Sequence, residues 1–223
     1  MMSDYLVKLS AGLPVSLGLT VSAAIIALII AVILTVLLAL RYRVTTMVIR
    51  GYLTLFTGTP LLVQIFLIYY GPGQFPALQH SPLLWSILSQ PAFCAVVALS
   101  LNSAAYTTQL LYGAVKAIPT GQWQACYALG MSRGETLKVL LPYAFKRALS
   151  SYSNEVVLVF KSTSLAYTIT LMDVMGLSQQ LYGGTYDVNV FIAAGVIYLC
   201  INALLTLLMR GIEFYALRFE RRT

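Results

Sequence analysis

No charged residue occurs between positions 15 and 40. At about 1.5 Å of rise per residue, a helix of that length crosses a hydrocarbon core. The run is too long for the apolar core of a cleavable signal peptide, and Arg41 and Arg43 follow it directly. The next uncharged stretch extends from Arg50 to Lys116 and is too long for one span. It is interrupted by Gly71-Pro72-Gly73, Pro76, Pro82 and Pro91, which are turn-forming residues. This pattern predicts a second span over 52–70, a loop over 71–91 and a third span over 92–115. A fourth apolar run, 148–172, contains Glu155 and Lys161. A fifth, 188–209, carries no charge.

Composition agrees with a lipid solvent. Hydrophobic residues make up 59% of the chain and charged residues only 9%, against about 25% charged in soluble domains. So few charges cannot cover a water-facing surface, which excludes a soluble enzyme and a disordered chain. The net charge of +7 is confined to short gaps between apolar runs, so it reads as membrane topology and not as nucleic-acid binding. Cys94, Cys126 and Cys200 lack metal-ligand spacing and His80 is the single histidine. Neither a disulfide scaffold nor a zinc site is expected.

Five spans place the two termini on opposite sides. Arg41, Arg43 and Arg50, then Lys116, Arg133, Lys138, Lys146 and Arg147, then Arg210, Arg218, Arg221 and Arg222 fall on one side. The other side has only Lys8. The positive-inside rule predicts an outside (periplasmic) N-terminus and a cytoplasmic C-terminus. No internal repeat or soluble domain is visible, so residues 1–223 read as one all-α membrane domain.

The connection 116–147 is long for a bare loop and short for a catalytic domain. Pro119 and Thr120 are suited to opening a short helix, and Gly130 to ending it. Ser132 and Glu135 are spaced as a capping box that starts a second helix over 136–141, ending before Pro142. The first helix carries Trp123, Ala125, Tyr127, Ala128 and Leu129. Its apolar surface needs a cover, either its own span ends and headgroups or a cytosolic partner.

The stretch Gly121-Gln122-Trp123-Gln124-Ala125-Cys126-Tyr127-Ala128-Leu129-Gly130-Met131-Ser132, closing at Leu141-Pro142, resembles the EAA loop of ABC importer permeases. Three further stretches resemble the polar amino acid (histidine/glutamine/arginine) branch of that family. They are Thr57-Gly58-Thr59-Pro60-Leu61-Leu62-Val63-Gln64, Asn102-Ser103-Ala104-Ala105-Tyr106, and Asn154-Glu155 with Lys161-Ser162-Thr163-Ser164-Leu165. Within the branch the chain is similar to the M-type permease subunits of bacterial arginine importers. The resemblance implies a type I ABC importer permease fold with five transmembrane helices in the bacterial inner membrane. It implies that Gln124, Ala125, Cys126, Ala128, Leu129, Gly130, Met131 and Ser132 belong to a coupling helix seated on a cytosolic ATPase dimer. ATP and Mg would be held by that ATPase, with no cofactor or metal bound by this chain and no catalytic residue in it. A second permease subunit and a periplasmic amino-acid-binding protein are the other implied partners, and Asn102, Glu155 and Ser162 the implied lining of an amino-acid site within the membrane.

The chain departs from the branch at five places. Arg is usual at Thr57 and Glu is frequent at Thr54; Glu and Arg are usual at Gln109 and Tyr112; and the first EAA position is the neutral Gln124. Thr54 and Thr57, like Gln109 and Tyr112, are helix neighbours. Joint loss of both charges avoids an uncompensated ion in or near lipid. A heterodimer whose other permease retains more of these charges is therefore expected.

An ionisable group within a span is costly and faces protein or water. Glu155 either binds a cationic group of the substrate or pairs structurally with Lys161 or Arg147. Glu155 and Lys161, six residues apart, point to different faces of a helix, whereas Glu155 and Ser162 share one. Asn102 lies among Ser100, Ser103, Ala104 and Ala105, where an interhelical hydrogen bond is the plainer alternative to a substrate contact. Lys161 is open to a carboxylate contact, to supporting a helix break over 161–164, or to snorkelling. Phe160-Lys161-Ser162-Thr163 mimics the end of a P-loop but lacks the glycines and strand of one, so ATP binding here is rejected. Tyr69, Tyr70, Tyr182 and Tyr186 read as an aromatic belt. Gly183, Gly184, Asp187 and loop 71–91 are either rim residues or contacts for a solute-binding protein.

Two other function classes compete. An ion-driven secondary transporter or channel using Glu155 would leave the coupling-type loop without a purpose, and inverted repeats are not visible. A membrane-embedded enzyme lacks paired carboxylates, an HExxH motif or an activated nucleophile. The leading expectation is an ATP-driven permease for arginine or another polar amino acid (histidine, lysine, ornithine or glutamine).

Overall fold

The computed structural model describes residues 2–217, which are helical with short connections. In chain order the helices are α1 (Met2–Ser10), α2 (Leu13–Leu40), α3 (Arg43–Gly58), α4 (Leu61–Tyr70), α5 (Pro76–Gln79), α6 (Pro82–Leu88), α7 (Pro91–Lys116), α8 (Thr120–Ala128), α9 (Arg133–Ser162), α10 (Val174–Thr185) and α11 (Asn189–Ala216). Short 3-10 turns cover Pro72–Gln74 and Thr163–Ile169. The counted tail residues Arg218, Arg221 and Arg222 lie outside the described residues.

Three helices, α2, α7 and α11, are long and apolar enough to cross a membrane. The centre of the fold is the seam between α2 and α7. Ala23, Ala27 and Ala31 on α2 are fully buried, as are Ala95, Ala98, Ala104 and Ala105 on α7. Small residues at helical spacing let two backbones approach closely, so dispersion contacts form along the length of the seam. The opposite face of α2 exposes Val21, Ile25, Ile29 and Ile33, the distribution expected of a helix whose outer face meets lipid.

The other two apolar runs form bent pairs. A straight second span over 52–70 is not what forms: α3 and the α4 segment meet at 105°. Pro60 lacks an N–H, and it drives Thr59 into extended backbone (φ −114°, ψ 145°). Residues 43–50, expected as loop, are already helical in α3, because no breaker follows Tyr42. In the 71–91 connection, Pro72, Pro76, Pro82 and Pro91 each stand at the first turn of a helical segment, where a missing N–H has no intrahelical partner to lose.

The fourth run differs at both ends. The helix expected to stop before Pro142 continues as α9 from Arg133 to Ser162. Pro142 cannot donate to the Lys138 carbonyl, but both residues are exposed and water can take that bond. The run does not reach 172 as one helix. It tightens to 3-10 geometry at Thr163 and turns at Thr170 (φ 71°). Hydroxyls reinforce the change: Thr163 donates to the Phe160 carbonyl at 2.8 Å, Ser164 to Lys161 at 2.7 Å and Thr168 to Leu165 at 2.7 Å. Each bond runs three residues back, matching the 3-10 spacing and competing with the α ladder. The α9 segment and α10 then meet at 49°.

The N-terminal helix α1 was not anticipated from the pattern. Its Leu9 is fully buried against Val174, Val190, Ala193 and Ala194. The chain then passes Gly12 so closely that a β-carbon there would lie 2.5 Å from the Asp173 carbonyl carbon and 2.6 Å from the Val174 nitrogen. Gly12→Ala must therefore displace backbone. We expect a loss of about 1–3 kcal/mol, seen as a melting temperature about 3–10 °C lower in detergent. Gly18→Ala, where nothing lies within 4 Å, should show no such loss.

Candidate functional site

A cavity of about 470 Å³ opens beside the α3–α4 bend. Asn102, Glu155 and Ser162 all line it, together with Thr57, Ser103 and Tyr106. Three residues separated in sequence thus converge on one space. Asn102 comes from α7, and Glu155 and Ser162 from a shared face of α9 two turns apart.

The bend creates one wall. In an unbroken helix the Phe56 carbonyl would accept from the N–H four residues on, but that residue is Pro60. Gln64 Nε2 supplies the missing donor at 2.9 Å and Asn102 Nδ2 a second at 3.1 Å. Gln64 Nε2 also reaches the Thr59 carbonyl at 3.1 Å and Thr59 Oγ1 at 2.8 Å, while Asn102 Nδ2 donates to Gln64 Oε1 at 3.1 Å. The interhelical hydrogen bond expected of Asn102 as the plainer alternative is therefore present, and the same residue lines the cavity. In the sequence pattern Gln64 stands out only as part of a motif. Its signal was the Thr-Pro break four residues earlier, whose orphaned carbonyl needs a buried donor.

Glu155 is 9% exposed. Ser103 Oγ donates to its Oε1 at 2.9 Å, and among the described residues this is its one hydrogen-bond partner. No ion pair joins it to Lys161 or Arg147. Lys161 is exposed at the last turn of α9, next to the change to 3-10 geometry. Arg147 Nη1 instead donates to Tyr143 Oη at 3.4 Å. The cavity therefore offers one carboxylate without an internal counter-charge, plus hydroxyl and amide groups. Such a set suits a small polar solute carrying a cation. Thr57, where the family branch usually has Arg, turns its own hydroxyl back to the Leu53 carbonyl at 2.8 Å and brings no charge to the cavity. Among the described residues, Glu155 is the only acidic one lining it.

At the other end of α9 lies a second surface. Helix α8 starts after Pro119 and ends before Gly130, whose φ of 76° is a left-handed cap conformation. Trp123, Cys126 and Met131 pack inward on Val115, Ile118, Leu140 and Ala144. Gln124, Ala125, Ala128, Leu129, Gly130 and Ser132 are exposed, Leu129 to 78%. Its own span ends cover one face of this segment, and the other face is open. The capping box forms as expected. Ser132 N donates to Glu135 Oε2 at 2.8 Å, Ser132 Oγ to the same oxygen at 2.7 Å, and Glu135 N to Ser132 Oγ at 3.4 Å. Those bonds hold the Glu135 carboxyl below its ordinary range.

Among the rim residues, Gly183 and Gly184 are exposed and Asp187 is half-buried. Gly183 and Gly184 lie within α10. Asp187 accepts from Asn189 N at 3.0 Å and Tyr5 Oη at 2.9 Å, which lowers its pKa and raises that of Tyr5. Tyr69 stacks edge-on with Tyr70, and Tyr182 with Tyr186, so the tyrosines pair along the chain.

Residues 27–214 match the family described as binding-protein-dependent transport system inner membrane component. The chain belongs to this family. It is 72% identical over 221 residues to the arginine ABC transporter permease protein ArtM of Escherichia coli, covering 99% of this chain and 100% of that one. It is 56% identical to the protein of the same name in Haemophilus influenzae, covering 99% and 97%. Among solved structures, an amino acid ABC transporter with histidines matches with a TM-score of 0.82 at 25% identity, over 95% of both chains. The fold is that of ABC importer permeases. These relatives are permease subunits, the membrane components of ABC transporters and not their catalytic ones, as expected for a chain without an enzymatic constellation.

Because the folded Glu135 carboxyl titrates lower than its unfolded value of 4.5, its contribution to the α9 start is complete above that value. It is lost as the pH falls through the lower folded value. Ser132→Ala should remove the cap and raise amide hydrogen exchange at residues 132–136 roughly fivefold at neutral pH. The difference between variant and wild type should shrink on acidification below 4.5.

Proposed function

We propose that this chain is the transmembrane permease subunit of an ATP-driven importer for a basic amino acid, with arginine as the substrate. The observation that carries the reading is the convergence of Asn102, Glu155 and Ser162 on one cavity, where the Glu155 carboxylate lacks an internal counter-ion. A guanidinium is a fitting partner for such a carboxylate. The two arginine-named relatives support arginine over other basic side chains. The neighbour described with histidines makes histidine the competing substrate.

In this reading residues 1–223 form one permease domain that crosses the bacterial inner membrane five times. The spans are α2, the α3–α4 pair, α7, the pair of α9 with α10, and α11. The N-terminus is periplasmic and the C-terminus cytoplasmic, as the distribution of basic residues favours. A second permease subunit completes the pathway, and a periplasmic amino-acid-binding protein delivers the solute. Gln124, Ala125, Ala128, Leu129, Gly130 and Ser132 face a cytosolic ATPase dimer, with Cys126 and Met131 anchoring the coupling helix from beneath. That ATPase holds ATP and Mg, and this chain binds no cofactor.

Radiolabelled uptake by the intact importer tests the site. Glu155→Gln keeps an acceptor for Ser103 but removes the charge, so arginine uptake should fall about ten- to a hundredfold, with weaker preference for cationic over neutral amino acids. Unchanged uptake and selectivity would sink the cation assignment. Leu129→Asp places a charge on the exposed apolar end of the coupling surface. Co-purification of the ATPase should drop roughly tenfold while the variant's melting temperature stays near wild type. Full retention of the ATPase would remove Leu129 from the contact.

A further inference from the structure

The C-terminal ends of α2 and α7 border two adjoining cavities, the first of which also reaches Gln124 of the proposed coupling surface. One, of about 410 Å³, is lined by Arg41, Lys116 and Arg133 with Tyr112, Trp123 and Tyr127. The other, of about 530 Å³, is lined by Arg41, Arg43 and Arg50 with Tyr112 and Met47. Arg41 and Tyr112 belong to both. Among the described residues, no acidic side chain lines either cavity. Among the described residues none of these five cations forms an ion pair. Lys116 Nζ sits 4.6 Å above the Tyr112 ring, a contact that leaves its positive charge in place.

Helix ends account for only part of this charge. Arg41 caps α2 in a left-handed conformation (φ 61°), its N–H on the Leu38 carbonyl, and Lys116 ends α7. Each helix C-terminus supplies about half a negative charge. Two such ends offset roughly one of five positive charges, so the joined cavities hold a surplus of about four. Like charges gathered around a shared space repel unless an anion enters it.

We propose that the joined cavities bind the phosphate of an anionic phospholipid headgroup. Guanidinium groups hold phosphate oxygens in pairs, and basic pockets between spans at their membrane ends are suited to lipid phosphates. The walls favour a lipid over a free anion. The cavities open where two apolar spanning helices end, so they lie at headgroup depth. Leu38 and Met47 contribute apolar wall, and Val44, Met47 and Val48 continue it as an exposed strip along α3, a track for an acyl chain. Tyr112, Trp123 and Tyr127 have the amphipathic rings that settle at such an interface. The site needs only the spanning helices; naming the leaflet as cytoplasmic rests on the proposed orientation.

The test uses the intact importer in phosphatidylcholine nanodiscs, titrated with pyrene-labelled phosphatidylglycerol and read by tryptophan-to-pyrene energy transfer. Arg41→Gln/Arg43→Gln should bind the probe about 25-fold more weakly, about fivefold per charge, and Lys8→Gln should bind as wild type does. Millimolar inorganic phosphate should leave the bound lipid in place. An unchanged titration in the double variant overturns the proposal. Displacement by inorganic phosphate overturns the lipid assignment in favour of a soluble anion. Release of the ATPase with unchanged lipid binding assigns the cations to the partner protein and overturns it as well. Should the double variant fail to assemble, Arg43→Gln alone decides, with a fivefold weakening expected. None of these readouts depends on transport, so loss of uptake in Glu155→Gln leaves the lipid question separate.

Discussion

One missing hydrogen bond organises the middle of this molecule. Pro60 cannot donate to the Phe56 carbonyl, and in a span no water stands ready to replace it. Gln64 and Asn102 meet that acceptor from two directions. Their answer ties three helices together: α3, which owns the carbonyl, α4, which supplies Gln64, and α7, which supplies Asn102. The 105° turn is thereby held open and not collapsed, and the exposed backbone of residues 57–60 becomes cavity wall opposite Glu155. Without the two amide side chains the turn would leave a buried polar atom unpaired, at a cost of about 1–3 kcal/mol.

The neutral positions gain meaning from that geometry. An arginine at position 57, common in the family branch, would stand in the same cavity as Glu155 and compete with a cationic solute for it. Threonine there keeps the carboxylate uncommitted. At Tyr112 the aromatic ring takes the place of a guanidinium and sits beneath the Lys116 ammonium. Thr54, Thr57, Gln109 and Tyr112 are all neutral, so neither position pair leaves one of its own members as an unpaired ion.

Much of this architecture was legible in the pattern. The ends of α2 and α7, the α8 segment, the left-handed Gly130 and the Ser132–Glu135 cap follow from uncharged length and from terminal chemistry, both of which are local. The grouping of Asn102, Glu155 and Ser162 at one site rested on resemblance, and helical periodicity added only that Glu155 and Ser162 share a face. What escaped was direction. Counting apolar residues measures how much chain can lie in lipid but not whether it lies straight, so the bend at Pro60 was read through as one span. Pro142 misled in the opposite sense: a helix stop was expected where exposure lets the helix continue. The α1 helix is short and carries Asp4 and Lys8, and its tertiary contacts, Leu9 in the core and Tyr5 on Asp187, reveal it. The role of Gln64 depends on an acceptor that exists only after the chain has folded.

The continuity of α9 has a mechanical consequence. Ser132 at its cap and Glu155 at the cavity are joined by one uninterrupted helix, a rod of roughly 34 Å at about 1.5 Å per residue. Rods of this kind transmit tilt without a joint to absorb it. Pivoted near Pro142, the arm toward the cap is about 15 Å and the arm toward Glu155 about 20 Å. A push of 2 Å applied to the capped end, to take a round figure, would sweep the carboxylate about 2.6 Å the other way, close to the length of the hydrogen bond that Ser103 makes to it. With a pivot near Pro142, a displacement smaller than one atom's diameter at one end would be enough to make or break a contact at the other.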